Sequence, residues 1–461
     1  MTTLLIKDGF VLTMDEKNTV HVPGWVWIKN DRIGAVGAGK PRADLADCAD
    51  RVIDATNMAV LPGLVNGHTH LSQTFMRGLA DDKGLLDWLK RVVRPIQAKM
   101  TPDDMQLASL LGLVENLRCG VTTVIHHHKL TTLPEHVDAA AEAAHLVGLR
   151  MLLVRGWRDL GDFCESPETI IEEMTRLHER WHLSADGRIT IGFGPKAPWR
   201  CSDATMRRTI ALARDWGVPT HIHVAETRDE IEMLQKRNGM RHIEWLSTLD
   251  ALGSDVQLVH CVWVDDAELD LIAASGSTVI HCPVSNMYLA SGIAPLHKMF
   301  DRCILVALGT DGPASHNSQD FLETLKTAVL LAKVSTGDAT ILPPADALHM
   351  VTTAGARLLG REDLGRIVVG CKADITIINL NTARSMPVHR PESALVYNAS
   401  GPDVHTVIVD GRILLDAGRV TILDEASLLI ECRAAASHLL NRAGATSGEP
   451  DALETVRRVT H

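Results

Sequence analysis

The chain is poor in aromatic residues, which make up 4% of its 461 positions. An exposed base-stacking surface is therefore not expected. It has no excess of positive charge either. The formal net charge is -11, which argues against nucleic acid and anionic membranes as partners. No run of 18 apolar residues occurs, so no membrane span is expected. The nine cysteines are odd in number and scattered, without a C-x-x-C pair. That pattern fits reduced thiols in a cytosol better than a disulfide framework. The first residues, Met1-Thr2-Thr3-Leu4-Leu5-Ile6-Lys7-Asp8-Gly9, lack a basic stretch followed by a long apolar core, so a signal peptide is not expected. A cytoplasmic location follows as an expectation.

What is present is an ordinary globular composition, 46% hydrophobic and 22% charged. The length suits one large barrel plus a smaller module. Residues 1–60 read as short strands, among them Leu4-Leu5-Ile6, Phe10-Val11-Leu12, Trp25-Val26-Trp27-Ile28 and Ile33-Gly34-Ala35-Val36. The far end mirrors this with Ala373–Ile378 and Val404–Val409, and Asp410-Gly411-Arg412 turns the chain into Ile413-Leu414-Leu415. A composite β-sandwich from 1–60 and 361–430 is expected, followed by a helical tail over 431–461.

Between them, 61–360 alternates strand and helix. Strands are predicted at Thr122–Ile125, Arg150–Val154, Ile189–Phe193, Pro219–Val224, Val256–Val259, Thr278–Ile280 and Ile304–Leu308, with helices such as Pro102–Cys119 and Pro167–Trp181. Counting a strand at Val60-Leu61, there are eight βα units, which favours a (β/α)8 TIM-type barrel. The open, doubly wound alternative calls for a Gly-rich phosphate loop after its first strand, and no G-x-G-x-x-G stands there.

Such barrels collect reactive residues at the C-terminal strand ends. Here those ends carry His68 and His70, then His126-His127-His128, Arg155, Lys196, His223, His260, His281 and Asp311. Residues i and i+2 of a strand share a face, so His68 and His70 can grip one ion. His68, His70, His223 and Asp311 supply nitrogen and carboxylate donors suited to Zn²⁺ or Fe²⁺. A catalytic metal lowers the pKa of a bound water from 15.7 to about 7, making hydroxide available at neutral pH. The second oxygen of Asp311 could take that water's proton. His260 can ligate the metal or hydrogen-bond the water. Glu226, three residues after His223, can overhang the pocket and shuttle protons, or serve only as a helix N-terminal carboxylate. His221 shares the parity of His223 and fits a supporting position. His126 to His128 could serve substrate or metal, with His128 taken for substrate; three adjacent histidines cannot all face one site.

The segments Pro62–His70, His223-Val224-Ala225-Glu226, Val259-His260-Cys261 and Gly309-Thr310-Asp311-Gly312 resemble the amidohydrolase superfamily. Within it they are similar to the branch of atrazine chlorohydrolase, melamine deaminase, and the methylthioadenosine/S-adenosylhomocysteine and guanine deaminases. The likeness spans nearly the whole chain, including Gly365–Asp374. It implies a mononuclear site on His68, His70, His223 and Asp311, with Glu226 as proton shuttle and His260 polarising the water or ligating. It also places Asp87, Arg155 and Asn286 in substrate-facing segments. One ion is expected ahead of two, zinc ahead of Fe²⁺, Co²⁺ or Mn²⁺, and a homo-oligomer by kinship.

One departure stands out. Nucleoside deaminases of the branch place His after Gly-Phe-Gly-Pro, where this chain has Lys196. Lys196 could be a carboxylated metal bridge, a cationic substrate contact or an exposed strand-end lysine. The expected reaction is hydrolytic C–N cleavage at an sp² carbon of a small molecule: deamination of a nitrogen-rich heterocycle such as a triazine, pterin or purine. The alternatives are hydrolysis of linear ureas, amides or (thio)carbamates in the manner of phenylurea hydrolases, a dehalogenating triazine hydrolase, or a non-catalytic barrel scaffold. The intact histidines and Asp311 speak against the scaffold.

Overall fold

Two sheets meet at Pro62-Gly63. The computed structural model describes residues 2–79 and 81–444. One sheet has nine strands drawn from both ends of the chain. Its strand Met58–Pro62 pairs in parallel with Thr3–Leu12 and antiparallel with Ile375–Asn379, which stitches the termini together. Leu4, Ile6, Val26, Ile28, Val60, Ile375 and Ile377 pack into its core.

The other sheet has eight parallel strands in chain order: Leu64–Thr69, Val121–His128, Arg150–Trp157, Ile189–Pro195, Thr220–Val224, Val256–His260, Thr278–His281 and Val306–Leu308. They are called strands one to eight below. Every residue of strands one to three is buried, as expected where helices cover the outer face of a parallel sheet. This is the expected (β/α)8 barrel, with one correction. Val60-Leu61 belongs to the terminal sheet, because both edges of that strand are already taken by partners there. Strand one starts after Pro62-Gly63 and carries His68 itself.

At the seam between strands one and eight, the Asp311 amide donates to the His68 carbonyl (2.9 Å). The Thr310 amide donates to Asn66 Oδ1 (3.1 Å). A Cβ on Gly67 would come within 2.7 Å of the Leu308 carbonyl oxygen, and one on Gly309 within 2.7 Å of His68 Cβ. Only glycine permits that approach, so the seam sets Asp311 directly beside His68.

The helices follow from local chemistry. Thr101 and Asp104 form a reciprocal capping box at the start of Pro102–Arg118, with proline in its first turn. Ser166 caps Pro167–Trp181, whose Ile170, Met174 and Leu177 recur at helical spacing and turn inward. The last described helix, Glu425–Ala443, begins before the expected 431. Residues 445–461 of the expected tail lie outside the described residues. Among the described residues no helix is long and apolar enough to cross a membrane.

Candidate active site

The barrel's C-terminal end gathers imidazoles whose tautomers are dictated by their neighbours. The chain of contacts begins at the Leu358 carbonyl, which can only accept. Gln257 Nε2 donates to it (2.6 Å), which turns Gln257 Oε1 toward His221 Nδ1 (2.7 Å). His221 Nδ1 therefore carries hydrogen and its Nε2 accepts from His68 Nδ1 (2.7 Å). His68 Nε2 is left with a bare lone pair, buried and without a partner. His70 Nδ1 donates to the His127 carbonyl (2.7 Å), and His223 Nδ1 to the Lys196 carbonyl (3.0 Å). His260 Nδ1 lies against Asn286 Oδ1 (2.9 Å). Each ring is thus held through Nδ1 and offers Nε2 inward, the arrangement by which outer hydrogen bonds orient ligating histidines.

Those lone pairs crowd each other. His70 Nε2 lies 3.3 Å from His223 Nε2. Asp311 Oδ1 lies 3.4 Å from His68 Nε2 and 3.2 Å from His70 Nε2. Burial keeps the rings neutral: His68 is lowered to about 4, and His70, His127 and His223 fall well below the usual histidine value. Asp311 is fixed by hydroxyls of Ser285 (2.6 Å) and Ser315 (3.1 Å) on Oδ2 and by the Gly312 amide (2.7 Å) on Oδ1. Acceptors facing acceptors in a buried space are costly unless a cation lies among them. The donor set therefore fits a divalent metal, and three overlapping groups have the reach: His68, His223 and His260; His70, His127 and His223; and His68, His70 and Asp311.

The backbone is bent to make this arrangement. Ala225, His260, Cys261 and Asp311 are non-glycine residues with φ of 50°, 74°, 49° and 62°. Left-handed conformations of this kind cost energy and cluster at functional sites. The bend at Ala225 swings Glu226 over the barrel mouth. Its Oε1 accepts from Ser291 Oγ (3.2 Å) and its Oε2 lies 3.4 Å from His260 Nε2. Burial, with Asp311 nearby, pushes the Glu226 carboxyl up to about 8.

A cavity opens in front of His223 and Glu226, with Leu85, Leu89, Val93 and Trp199 among its walls. Lys196 lines it and donates from Nζ to the Lys129 carbonyl (2.9 Å). Burial, with Arg158 adding to it, holds Lys196 well below the usual lysine value. It is therefore not the exposed strand-end lysine that one sequence reading allowed.

Three of the sequence-selected substrate residues sit elsewhere than expected, and a fourth, Asn286, has a partner within the protein. Asp87 lies on the outer face of the short helix Leu85–Trp88, its side chain 61% exposed and paired with Arg91, because the inner face is taken by Leu85 and Trp88. His128 points behind the sheet, bonded to His126 and to the Leu130 carbonyl. Strand parity instead turns His127 inward, with both ring nitrogens buried and unpartnered. Arg155 is locked onto Glu165. Asn286 orients His260. Sequence reading also passed over Gln257, which sets the His68 tautomer; a glutamine one strand from His221 carries no signal of its own.

Barrel, strand-end imidazoles and a carboxylate among them define a hydrolase of the metal-dependent barrel class. The model of the amidohydrolase family matches residues 59–414, and the chain belongs to that family. It is 38% identical over 445 residues to a 5'-deoxyadenosine deaminase of Methanosarcina acetivorans, covering 96% of this chain and 100% of the relative. It is 37% identical to a 5-methylthioadenosine/S-adenosylhomocysteine deaminase of Pelotomaculum thermopropionicum, again over 96% and 100% of the two chains. Among solved structures it is similar to an adenosine deaminase from Xanthomonas campestris with bound zinc, with TM-score 0.89, 31% identity, and 95% and 99% coverage. It is also similar to atrazine chlorohydrolase from Arthrobacter aurescens complexed with zinc, with TM-score 0.88, 26% identity, and 94% and 100% coverage. The chain is a hydrolase acting on carbon–nitrogen bonds.

Proposed function

We propose that this chain deaminates a nitrogen-rich heterocycle at a single divalent ion, zinc first among the candidates. His68, His70, His223 and Asp311 would hold the ion, with His260 or His127 completing the set. The observation that carries this reading is the convergence of Nε2 lone pairs on Asp311 Oδ1, next to the buried carboxyl of Glu226. Bound there, a divalent ion would bring the pKa of a water to about 7.

The remaining steps belong to the chain's own residues. Glu226 holds a proton at neutral pH because burial disfavours its charged form. From beside His260 it can deliver that proton to the departing amine nitrogen, since a leaving amide anion is too basic to depart unprotonated. Asn286 fixes His260, and Ser291 fixes Glu226, so neither must reorganise during the reaction. Leu85, Leu89, Val93 and Trp199 wall the cavity against bulk water. Lys196 is proposed as a hydrogen-bond donor facing substrate, not a metal-bridging carbamate; its Nζ bond to the Lys129 carbonyl supports this.

The adenosine-type deaminases and triazine enzymes among its relatives support an aminated heterocycle as substrate. Ammonia release from 5'-deoxyadenosine, 5'-methylthioadenosine, melamine and aminopterins, run beside linear ureas and carbamates, tests it. Ammonia from at least one heterocycle is expected. Turnover confined to the linear compounds would overturn the reading.

A further inference from the structure

The cavity is lined by cations as well as by apolar side chains. Arg94 comes from the helix Arg94–Gln97, Arg158 follows strand three, and Arg200 closes the turn Pro198–Arg200 after strand four. All three line the cavity that holds His223, Glu226 and Lys196. Among the described residues, no carboxylate comes within 4.0 Å of any of the three guanidinium groups. Elsewhere in the interior, arginine is neutralised: Arg150 by Asp374, Arg155 by Glu165.

The three keep their donors free. Arg200 stacks on the Trp199 ring, 4.0 Å from its centroid. Arg158 spends only Nε, on the Phe163 carbonyl (3.1 Å). The side chain of Arg94 has no hydrogen-bond partner among the described residues. The two acids on the cavity are engaged elsewhere, Glu226 with Ser291 and His260 and Glu230 with Trp199 Nε1 (3.1 Å). Burial, then Arg94 and Arg158, lowers Arg200 to about 10, which leaves it charged. A chain of net charge -11 thus concentrates unpaired positive charge at this one mouth. Like charges held together and partly desolvated repel, and an anion between them relieves the cost. Guanidinium forks match the planar oxygens of carboxylate and phosphate.

We propose that Arg94, Arg158 and Arg200 bind an anionic group, a carboxylate or a phosphate, carried by the substrate away from the carbon under attack. The substrate is then an anionic aminated heterocycle. This rests on the deaminase reading above and narrows it.

Matched pairs test it on the metal-loaded enzyme. Neutral 5'-deoxyadenosine is set against adenosine 5'-monophosphate and adenosine-5'-carboxylate, and N-ethylmelamine against N-carboxymethylmelamine. On at least one scaffold the anionic member is expected to have a kcat/KM about tenfold or more above its neutral partner. Added NaCl should erode that preference, and the phosphate and carboxylate arms identify the group. Arg158→Gln and Arg200→Gln should shrink the anionic-to-neutral ratio about tenfold, mainly through KM, and Arg200→Lys should recover part of it. Equal or better use of the neutral member on every scaffold turned over would overturn the proposal. So would a preference that survives in the triple Arg→Gln protein with an unchanged melting profile. If no heterocycle releases ammonia, the deaminase reading fails, and titration calorimetry with adenosine 5'-monophosphate and with inorganic phosphate still decides the anion site. Binding lost in the triple variant supports it; absence of binding, or binding unaltered by the substitutions, contradicts it.

Discussion

The two ends of the barrel hold buried polar clusters of opposite design. At the N-terminal end, Arg150 at the start of strand three makes two hydrogen bonds to Asp374, from Nε (2.6 Å) and Nη2 (3.0 Å). Asp410 receives Arg150, Lys372 (3.0 Å) and Arg188 (3.4 Å). Cations and anions alternate, and the cluster ties the terminal sheet to the barrel floor. At the C-terminal end, acceptor faces acceptor: bare imidazole nitrogens, a carboxylate held by serines, and strained backbone beneath. The first cluster completes itself. The second is complete only with a cation among its donors, which is what separates a structural polar core from a site built for chemistry.

Substitutions at the two ends should therefore fail in different ways. Glu226→Gln removes the proton carrier and should lower kcat by about 10²- to 10⁴-fold with metal content and melting temperature little changed. Steady-state kinetics beside metal analysis checks this; an equal fall in metal content would place Glu226 among the ligands. Asp374→Ala removes two hydrogen bonds from Arg150, leaving it Asp410 as its remaining carboxylate partner, and should destabilise the fold by about 3 kcal/mol, read by denaturant unfolding, with the metal-binding residues intact. If it instead abolished metal binding in the folded protein, the separation of the two ends would break.

Glu230 sharpens the comparison through pH. Its carboxyl is raised from 4.5 to about 7 by burial and by Glu226. An acid with a raised folded pKa binds its proton more tightly in the folded state. Its stabilising share is full below pH 4.5 and is lost as pH rises through about 7. Glu230→Gln should thus flatten the stability profile between those values, by up to about 3 kcal/mol. Unfolding measured from pH 4.5 to 7.5 checks it, and an identical slope in both proteins would show that Glu230 ionises freely.

How much could be read in advance follows from where each side chain sits. His68, His70, His223, His260 and Asp311 lie at strand ends, where period-two alternation and barrel topology say what a residue faces, and the structure brings them together. Parity also explains the exchange of His128 for His127: adjacent residues on one strand take opposite faces, and sequence alone did not say which was inward. Asp87 occupies a four-residue helix, too short to show an apolar face. Val60-Leu61 looks like a barrel strand in the sequence because a strand of the terminal sheet abuts strand one across Pro62-Gly63. Arg94 and Arg200 come from a short helix and a three-residue turn, where no periodicity marks them. Gln257 and Asn286 act by hydrogen-bonding a neighbouring ring, which is visible only once the rings are placed.

The most direct measurement is metal content per chain in the purified wild-type protein and in His68→Ala and His223→Ala, with folding verified by circular dichroism. About one equivalent of divalent ion is expected in the wild type. Almost none is expected in either variant, with activity reduced by roughly three orders of magnitude or more. A folded wild-type protein that works without metal, or variants that keep both ion and activity, would contradict this.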